Sequence, residues 1–305
     1  MISVVIPVKD GGADLVRCLV AIAGQRMDED VEVVVVDSGS QDGSVERAQA
    51  AGARVHSIPA SEFQHGRTRN LGAQLARGDT LVFTSQDAYA ASDAWLATLT
   101  APLRQDGIAG TYGRQLPHEE ASPPEQYFLD FLYGPAPRQQ RVGPGGELSF
   151  EDTLFSNVNS AIPRNVWQAY PFADDIVMSE DQEWSRRVLR AGFSVVYEPA
   201  AAVYHSHSYS IAAALRRFFD SGASAERSYV DEGVAASRSA LWKAGVRYAR
   251  GEIDWLWRTR QRRWIPYAAV YELAKFAGLQ LGRRHRLLPA ALKARLSAHP
   301  THWKT

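Results

Sequence analysis

The chain has one cysteine in 305 residues, Cys18, so no intramolecular disulfide framework is available to it. Cys18 lies in an apolar segment, Leu15 to Ile22, that reads as a first helix, which favours buried packing over redox chemistry and is compatible with a reducing compartment. No apolar run reaches the ~18–20 residues that span a bilayer. The nearest stretch, Trp264 to Leu281, is interrupted by Pro266, Glu272 and Lys275. No secretory leader is legible, because a strand pattern begins at the second residue, and the expectation is a cytoplasmic protein. Repeats and low-complexity segments are missing, as is any recognised nucleic-acid motif, so nucleic acid is not an expected partner. After the first strand, Lys9-Asp10-Gly11-Gly12-Ala13 lacks the Gly-x-Gly-x-x-Gly spacing, which sets aside a dinucleotide-dependent oxidoreductase. Net charge is also lacking, at 34 basic against 34 acidic residues, but the balance hides an asymmetry. Residues 211–305 carry 18 Lys and Arg against 7 Asp and Glu, a net of +11, and residues 1–210 carry −11. A basic tail on an acidic body points to an anionic partner for the tail.

What is present begins with two apolar runs that stop at polar tips. Ser3 to Asp10 reads Ser-Val-Val-Ile-Pro-Val-Lys-Asp, and Val31 to Ser44 reads Val-Glu-Val-Val-Val-Val-Asp-Ser-Gly-Ser-Gln-Asp-Gly-Ser. Val/Ile runs without polar alternation suit strands covered on both faces of a parallel sheet. Ligands of such sheets collect at the carboxyl ends of the strands, where Asp37 sits. Strands are predicted over 1–8, 31–37, 54–58 and 80–84, and helices over 13–25, 43–51, 68–76 and 94–104. This alternation indicates an α/β fold with a mostly parallel sheet. Pro117 to Gly146, rich in Pro, Gly, Gln and Arg, predicts a long loop. Strands return over 156–163 and 193–204, with a helix over 183–191 between them. From about Ser210 the pattern is helical, with broken stripes such as Leu241, Val246 and Tyr248. Two regions are expected: a catalytic domain over 1–210 and a helical, basic and aromatic region over 211–305.

The opening pair of runs, followed by Phe63-Gln64-His65-Gly66-Arg67-Thr68-Arg69-Asn70-Leu71-Gly72, Phe83-Thr84-Ser85-Gln86-Asp87-Ala88 and Glu180-Asp181, resembles family 2 glycosyltransferases. These are inverting enzymes with the GT-A fold, and the later segments look like their bacterial rhamnosyltransferase branch. The resemblance covers roughly the first two thirds of the chain. It implies transfer of a sugar from a dTDP- or UDP-sugar, with L-rhamnose from dTDP-L-rhamnose first among donors. The implied acceptor is a hydroxyl of a glycan or lipid-linked glycan in cell-surface polysaccharide synthesis. Another nucleotide sugar, or a non-catalytic sugar-nucleotide or glycan-binding protein on the same fold, are the alternatives.

For most positions a functional and a structural reading stand side by side. Asp37 matches the family acid that contacts the pyrimidine; it would equally cap the turn that follows. Pro7, Val8 and Lys9 at the tip of the first strand offer backbone groups to a base, while Lys9 also reads as a solvated lysine. Gly66, Arg67 and Asn70 open a helix whose free N–H groups suit a diphosphate, with less weight on Arg69. At Gln86-Asp87 the family usually has an acidic pair or Asp-x-Asp holding a divalent cation, Mg²⁺ or Mn²⁺. Here only Asp87 is acidic; Gln86 and Asp87 are expected to contact the donor, with Asp87 as the metal ligand. In Glu180-Asp181 the resemblance makes Asp181 the catalytic base and leaves Glu180 to orient acceptor or loop; both acids also complement a helix start. Of His205 and His207, which share a side of an extended segment, His205 is favoured as a further metal ligand. Asn157 and Asn159 either bond sugar hydroxyls or satisfy backbone, and Trp184 either stacks on a sugar or packs in the core. The tail combines Trp242, Trp255, Trp257 and Trp264 with Arg258, Arg260, Arg262 and Arg263. That mixture fits a peripheral contact with the cytoplasmic face of an anionic membrane, or a homodimer face.

Overall fold

The computed structural model describes residues 1–143, 145–146, 148–228 and 235–303, without the side chains of 235–242. The chain divides into two compact units. The first comprises Met1–Leu116, Tyr133–Asp174 and Glu180–His205, and the second Pro117–Leu132, Asp175–Ser179 and Ser206–Thr305. The second unit thus takes in residues 117–132, 175–179 and 206–210 from within the first 210.

Among the described residues, nine strands build one mixed sheet in the first unit: β1 (Ile2–Val8), β2 (Val31–Asp37), β3 (Arg54–Ser57), β4 (Thr80–Thr84), β5 (Tyr89–Ala90), β6 (Ile108–Leu116), β7 (Arg138–Gln140), β8 (Asn159–Pro163) and β9 (Ser194–Tyr204). Their order is β3-β2-β1-β4-β8-β6-β9-β5, with β7 also paired to β9. The half built from β3, β2, β1 and β4 is parallel, as the apolar runs predict. Val4, Val5, Ile6, Val34, Val35 and Val36 are buried, because helices cover both faces of this half. β8 runs antiparallel between β4 and β6, while β6 and β9 are again parallel.

The registers decide where the polar tips fall. Val8 lies beside Asp37, Thr84 beside Asn159, and Leu116 beside Tyr204. The carboxyl ends of β1, β2, β4, β6 and β9 and the amino end of β8 therefore share one edge of the sheet. The polar segments 9–10, 37–44, 85–87, 156–158 and 205 follow or precede those ends. Such an edge, where strand order switches direction, is where open α/β sheets hold ligands.

Cys18 is buried, as expected of a packing residue; burial first, and the Asp87 charge second, push its thiol up to about 12. The segment 117–146 corrects the expectation of one long loop. Residues Pro123–Leu132 form a helix and Arg138–Gln140 a strand. Pro123 and Pro124 fill the first helical turn, where a missing N–H costs nothing, so prolines that read as loop residues start a helix.

The second unit is helical: Pro123–Leu132, Ile211–Ser228, Ala235–Arg258, Ile265–Arg283 and Ala290–Leu296. Its centre holds the buried Lys275, 2.7 Å from Glu272 and within 4.7–5.5 Å of the rings of Phe128, Phe218, Tyr248 and Tyr271. The side chains of Leu241 and Trp242 lie outside the described residues. Among the described residues no helix is long and apolar enough to cross a membrane.

Candidate active site

At the tip of β2, Asp37 is 2% exposed and accepts hydrogen bonds from the N–H groups of Gly39 (3.0 Å) and Ser40 (3.2 Å). The carboxylate holds its own turn, as a capping residue does. Lys9 donates its Nζ to the Gly39 carbonyl and its backbone N–H to Gln86 Oε1, 2.7 Å. Gln86 Nε2 returns a bond of 3.0 Å to the Lys9 carbonyl. The carboxamide thus mimics a strand neighbour, donating and accepting on one residue's backbone. A carboxylate, which only accepts, cannot do both. This accounts for the glutamine that stands where the family pattern has an acid, and it ties Gln86, expected on the donor side, to the backbone of Lys9.

Asp87 remains. His205, at the end of β9, brings Nε2 to 3.7 Å from Asp87 Oδ1. Its other nitrogen, Nδ1, lies 2.8 Å from Gln115 Oε1. Gln115 in turn donates Nε2 to the Tyr133 hydroxyl (2.7 Å) and to Ser156 Oγ (3.0 Å), which fixes the amide with its oxygen toward the histidine. An Nδ1–H donating to Gln115 leaves the Nε2 lone pair aimed at a carboxylate oxygen. Protonated, the imidazole pairs with this carboxylate; neutral, the two atoms offer adjacent ligands to a cation. Histidine plus carboxylate, with the histidine held from behind by an acceptor, is a donor set that fits Mn²⁺ or Mg²⁺.

Glu180 and Asp181 open the helix Glu180–Arg190. Glu180 is buried and paired with the equally buried Arg69 at 2.9 Å. Asn157 Nδ2 donates to the same Glu180 oxygen at 3.3 Å. The Asn157 backbone N–H donates to Asp181 Oδ2 at 3.2 Å, and Gln182 N–H to Oδ1 at 2.9 Å. Burial, and then the Glu180 charge, push the Asp181 carboxyl up to about 7, against the pull of Arg69 and the two N–H groups. A carboxylate poised there can take a proton near neutral pH. Asp87 and Asp181 are joined by one chain of contacts: Asp87 to His205, to Gln115, to Ser156, whose neighbour Asn157 holds Asp181.

Of the other candidates, Asn70, Gly66, Trp184 and Asn159 are engaged within the protein, while Arg67, Pro7 and Val8 lie at the helix start and the tip of the first strand. Asn70 is the pin of the loop before this helix: its Oδ1 accepts from Trp167 Nε1 and Phe172 N, each at 3.0 Å, and its Nδ2 donates to the Phe172 carbonyl at 2.8 Å. Gly66 is required by close packing, since a Cβ there would stand 1.9 Å from the Ala173 carbonyl oxygen. Arg67 is exposed at the start of the helix His65–Leu75, whose N-cap is Gln64. Trp184 is fully buried and packs on Phe155 at 4.8 Å between ring centres; it offers no face to a sugar, which corrects its reading as an acceptor residue. Asn159 is likewise spent inside the protein, accepting from Trp95 Nε1 and donating to the Ala201 carbonyl. Pro7 and Val8 lie in β1, with Val8 buried. Gln115 is passed over in reading the sequence, and Arg69, set there among donor-side residues with less weight, instead pairs with Glu180. Nothing in the chain's pattern marks these pairings, because the partners lie 111 and 90 positions away.

The profile of Glycosyl transferase family 2 matches residues 3–156. The O-antigen chain rhamnosyltransferase RfbN of Salmonella typhimurium is 30% identical, over 99% of this chain and 96% of that protein. WbaN of Salmonella anatum, also an O-antigen chain rhamnosyltransferase, is 28% identical over 89% of this chain and 86% of its own length. Among solved structures, the mannosyltransferase PcManGT from Pyrobaculum calidifontis, in complex with GDP-Man and Mn²⁺, aligns with a TM-score of 0.57 at 16% identity, covering 99% of this chain and 85% of that one. S. aureus TarS 1-349 aligns at 0.52 and 14% identity, over 93% and 91%. At these identities the structural likeness speaks for the GT-A fold alone. With the profile matching half of the chain and a relative similar along nearly all of it, this protein belongs to glycosyl transferase family 2.

Proposed function

We propose that this glycosyltransferase moves L-rhamnose from dTDP-L-rhamnose to a hydroxyl of a glycan or lipid-linked glycan acceptor, with inversion at the anomeric carbon. The observation that carries the reading is the contact chain from Asp87 to Asp181 along one sheet edge, with Asp181 raised to about 7 at one end. The rhamnosyl donor is supported by the similarity to RfbN and WbaN along most of their length.

In this reading the nucleotide lies over the tips of β1 and β2, where Pro7, Val8, Lys9 and Asp37 meet the base and Arg67 meets the donor's phosphates or sugar. Asp181 removes the proton from the acceptor hydroxyl. The oxygen attacks the anomeric carbon, and the bond to the diphosphate breaks on the opposite face, its electron pair leaving with dTDP. Asp87 and His205 would hold Mg²⁺ or Mn²⁺, which offsets charge on the departing diphosphate. Glu180, fixed by Arg69 and Asn157, sets its charge beside Asp181 and raises that carboxyl, which the Asn157 and Gln182 N–H groups orient. Positioning and charge carry the catalysis, and no covalent enzyme intermediate is needed. A lipid-linked acceptor would hold the enzyme at the cytoplasmic face of a membrane.

Thermal shift with a panel of dTDP- and UDP-sugars, with Mn²⁺ or with EDTA, tests the donor: the true donor raises the melting temperature by mass action. The reading predicts the largest shift for dTDP-L-rhamnose with Mn²⁺, lost in Asp87→Ala. A larger shift with another sugar replaces the donor. Absence of donor hydrolysis or transfer with every sugar that binds would turn the reading to a binding protein.

A further inference from the structure

The helix Ile265–Arg283 has an inner face that is sealed. Ala268, Tyr271, Lys275, Gly278 and Gly282 are buried, at the i, i+3, i+4, i+7 spacing of one helical face. The two glycines bring this helix against Ile211–Ser228: a Cβ on Gly278 would stand 2.3 Å from the Leu215 carbonyl oxygen, and one on Gly282 2.0 Å from that of Phe219. The opposite face is uncharged and apolar apart from Gln280. At about 100° per residue, Pro266, Ala269, Val270, Leu273, Phe276 and Leu281 fall on one half of the helix, and all are exposed. Val270 is 51% exposed, Leu273 67% and Phe276 43%. The helix's charged residues before its last turn, Glu272 and Lys275, are paired with each other, so this outer stripe carries no charge over four turns.

The ends of the stripe are cationic. The turn Arg262–Trp264 precedes the helix, with exposed Arg262 and Arg263, and exposed Arg284 follows it. Trp257, 54% exposed, lies under the Arg262 guanidinium at 3.7 Å. An exposed apolar stripe of this length marks a contact surface. Charge complementarity selects the occupant. A second copy packed on this stripe, parallel or antiparallel, would bring arginine ends against arginine ends. A bilayer with anionic headgroups receives the apolar side chains among its acyl chains and the arginines at its phosphates.

We propose that the outer face of helix 265–283, with Arg262, Arg263, Arg284 and Trp257, is a docking surface for an anionic lipid bilayer on which the helix lies in the plane of the headgroups. The surface stands on the second unit's own geometry and does not depend on which sugar is transferred.

Sedimentation of the full chain with vesicles tests it. The protein should partition to phosphatidylglycerol–phosphatidylcholine vesicles, about tenfold less to phosphatidylcholine alone, and less as salt rises. Leu273→Glu should reduce partitioning about tenfold or more while donor hydrolysis stays at the wild-type level. Arg262→Gln with Arg284→Gln should lower binding to the anionic vesicles alone. If Leu273→Glu does not fold, quenching of tryptophan emission by brominated phosphatidylglycerol in the wild type replaces it, and quenching is expected. Equal partitioning of wild type and Leu273→Glu, or no partitioning of the wild type, overturns the proposal. So does a dimer in light scattering that Leu273→Glu dissociates while vesicles bind neither protein, which would assign the stripe to a second copy.

Discussion

His205 faces the Asp87 carboxylate through Nε2 at 3.7 Å and is held from behind through Nδ1 by Gln115 at 2.8 Å. The imidazole is thereby fixed in the tautomer that can bind a metal. Gln115→Leu removes the acceptor and should weaken Mn²⁺ affinity by about 10–100-fold, as measured by calorimetry with and without nucleotide. Gln115→Glu, which keeps an acceptor for Nδ1–H, should recover most of it. Wild-type affinity in the leucine variant would show that Gln115 has no part in metal binding.

Gln86 closes a two-way pair with the Lys9 backbone. Restoring the acid of the family pattern should therefore not help. Gln86→Glu leaves two acceptors facing each other at the Lys9 carbonyl and should lower stability by about 1–2 kcal/mol, seen in urea unfolding. Metal affinity should not rise. A variant as stable as wild type that also binds Mn²⁺ more tightly would contradict this account of the glutamine.

The Asp181 carboxyl, pushed up to about 7 by burial and Glu180, must be ionised to accept a proton. The rate under kcat/KM conditions should rise about tenfold per pH unit below that value and level off above it. Arg69→Leu removes the guanidinium paired with Glu180 and should move the midpoint upward. A profile flat from acid to alkaline pH would separate the rate from this carboxylate.

In the second unit, Glu252 is 1% exposed, and burial first, then Glu272, raise its carboxyl from 4.5 to about 7. Its stability contribution is full below the unfolded value and is lost as pH rises through about 7, because the folded protein must then bury the charge. Glu252→Gln should thus raise the melting temperature by about 2–4 °C above neutral pH, and the gain should shrink toward pH 5. Calorimetry across that range checks the sign; a gain confined to acid pH would reverse it.

The parallel half of the sheet was legible residue by residue. β2 and β4 begin and end where the apolar runs do, since buried strands there stop at turn-forming residues. β6 was missed because Gly110, Gly113 and Arg114 interrupt its pattern, although Gly113 is required: a Cβ would meet the Ala201 carbonyl oxygen at 1.9 Å. The acids were legible as polar residues at strand ends and a helix start. What holds them was not. Gln115 and Arg69 take their meaning from partners that only the folded sheet brings near, and Asn70 and Trp184 turn out to serve packing. Periodicity finds the faces of elements, but pairings between distant elements leave no local mark.

Asp181→Asn tests the central claim most directly, with donor binding by calorimetry and sugar transfer measured on the same preparation with Mn²⁺. Substituting an amide removes the proton acceptor and leaves the edge that carries Asp37, Asp87 and His205 in place. Donor affinity within about threefold of wild type, with transfer slower by about 10³-fold or more, is the predicted result. Transfer at the wild-type rate would contradict the assignment of Asp181 as the base.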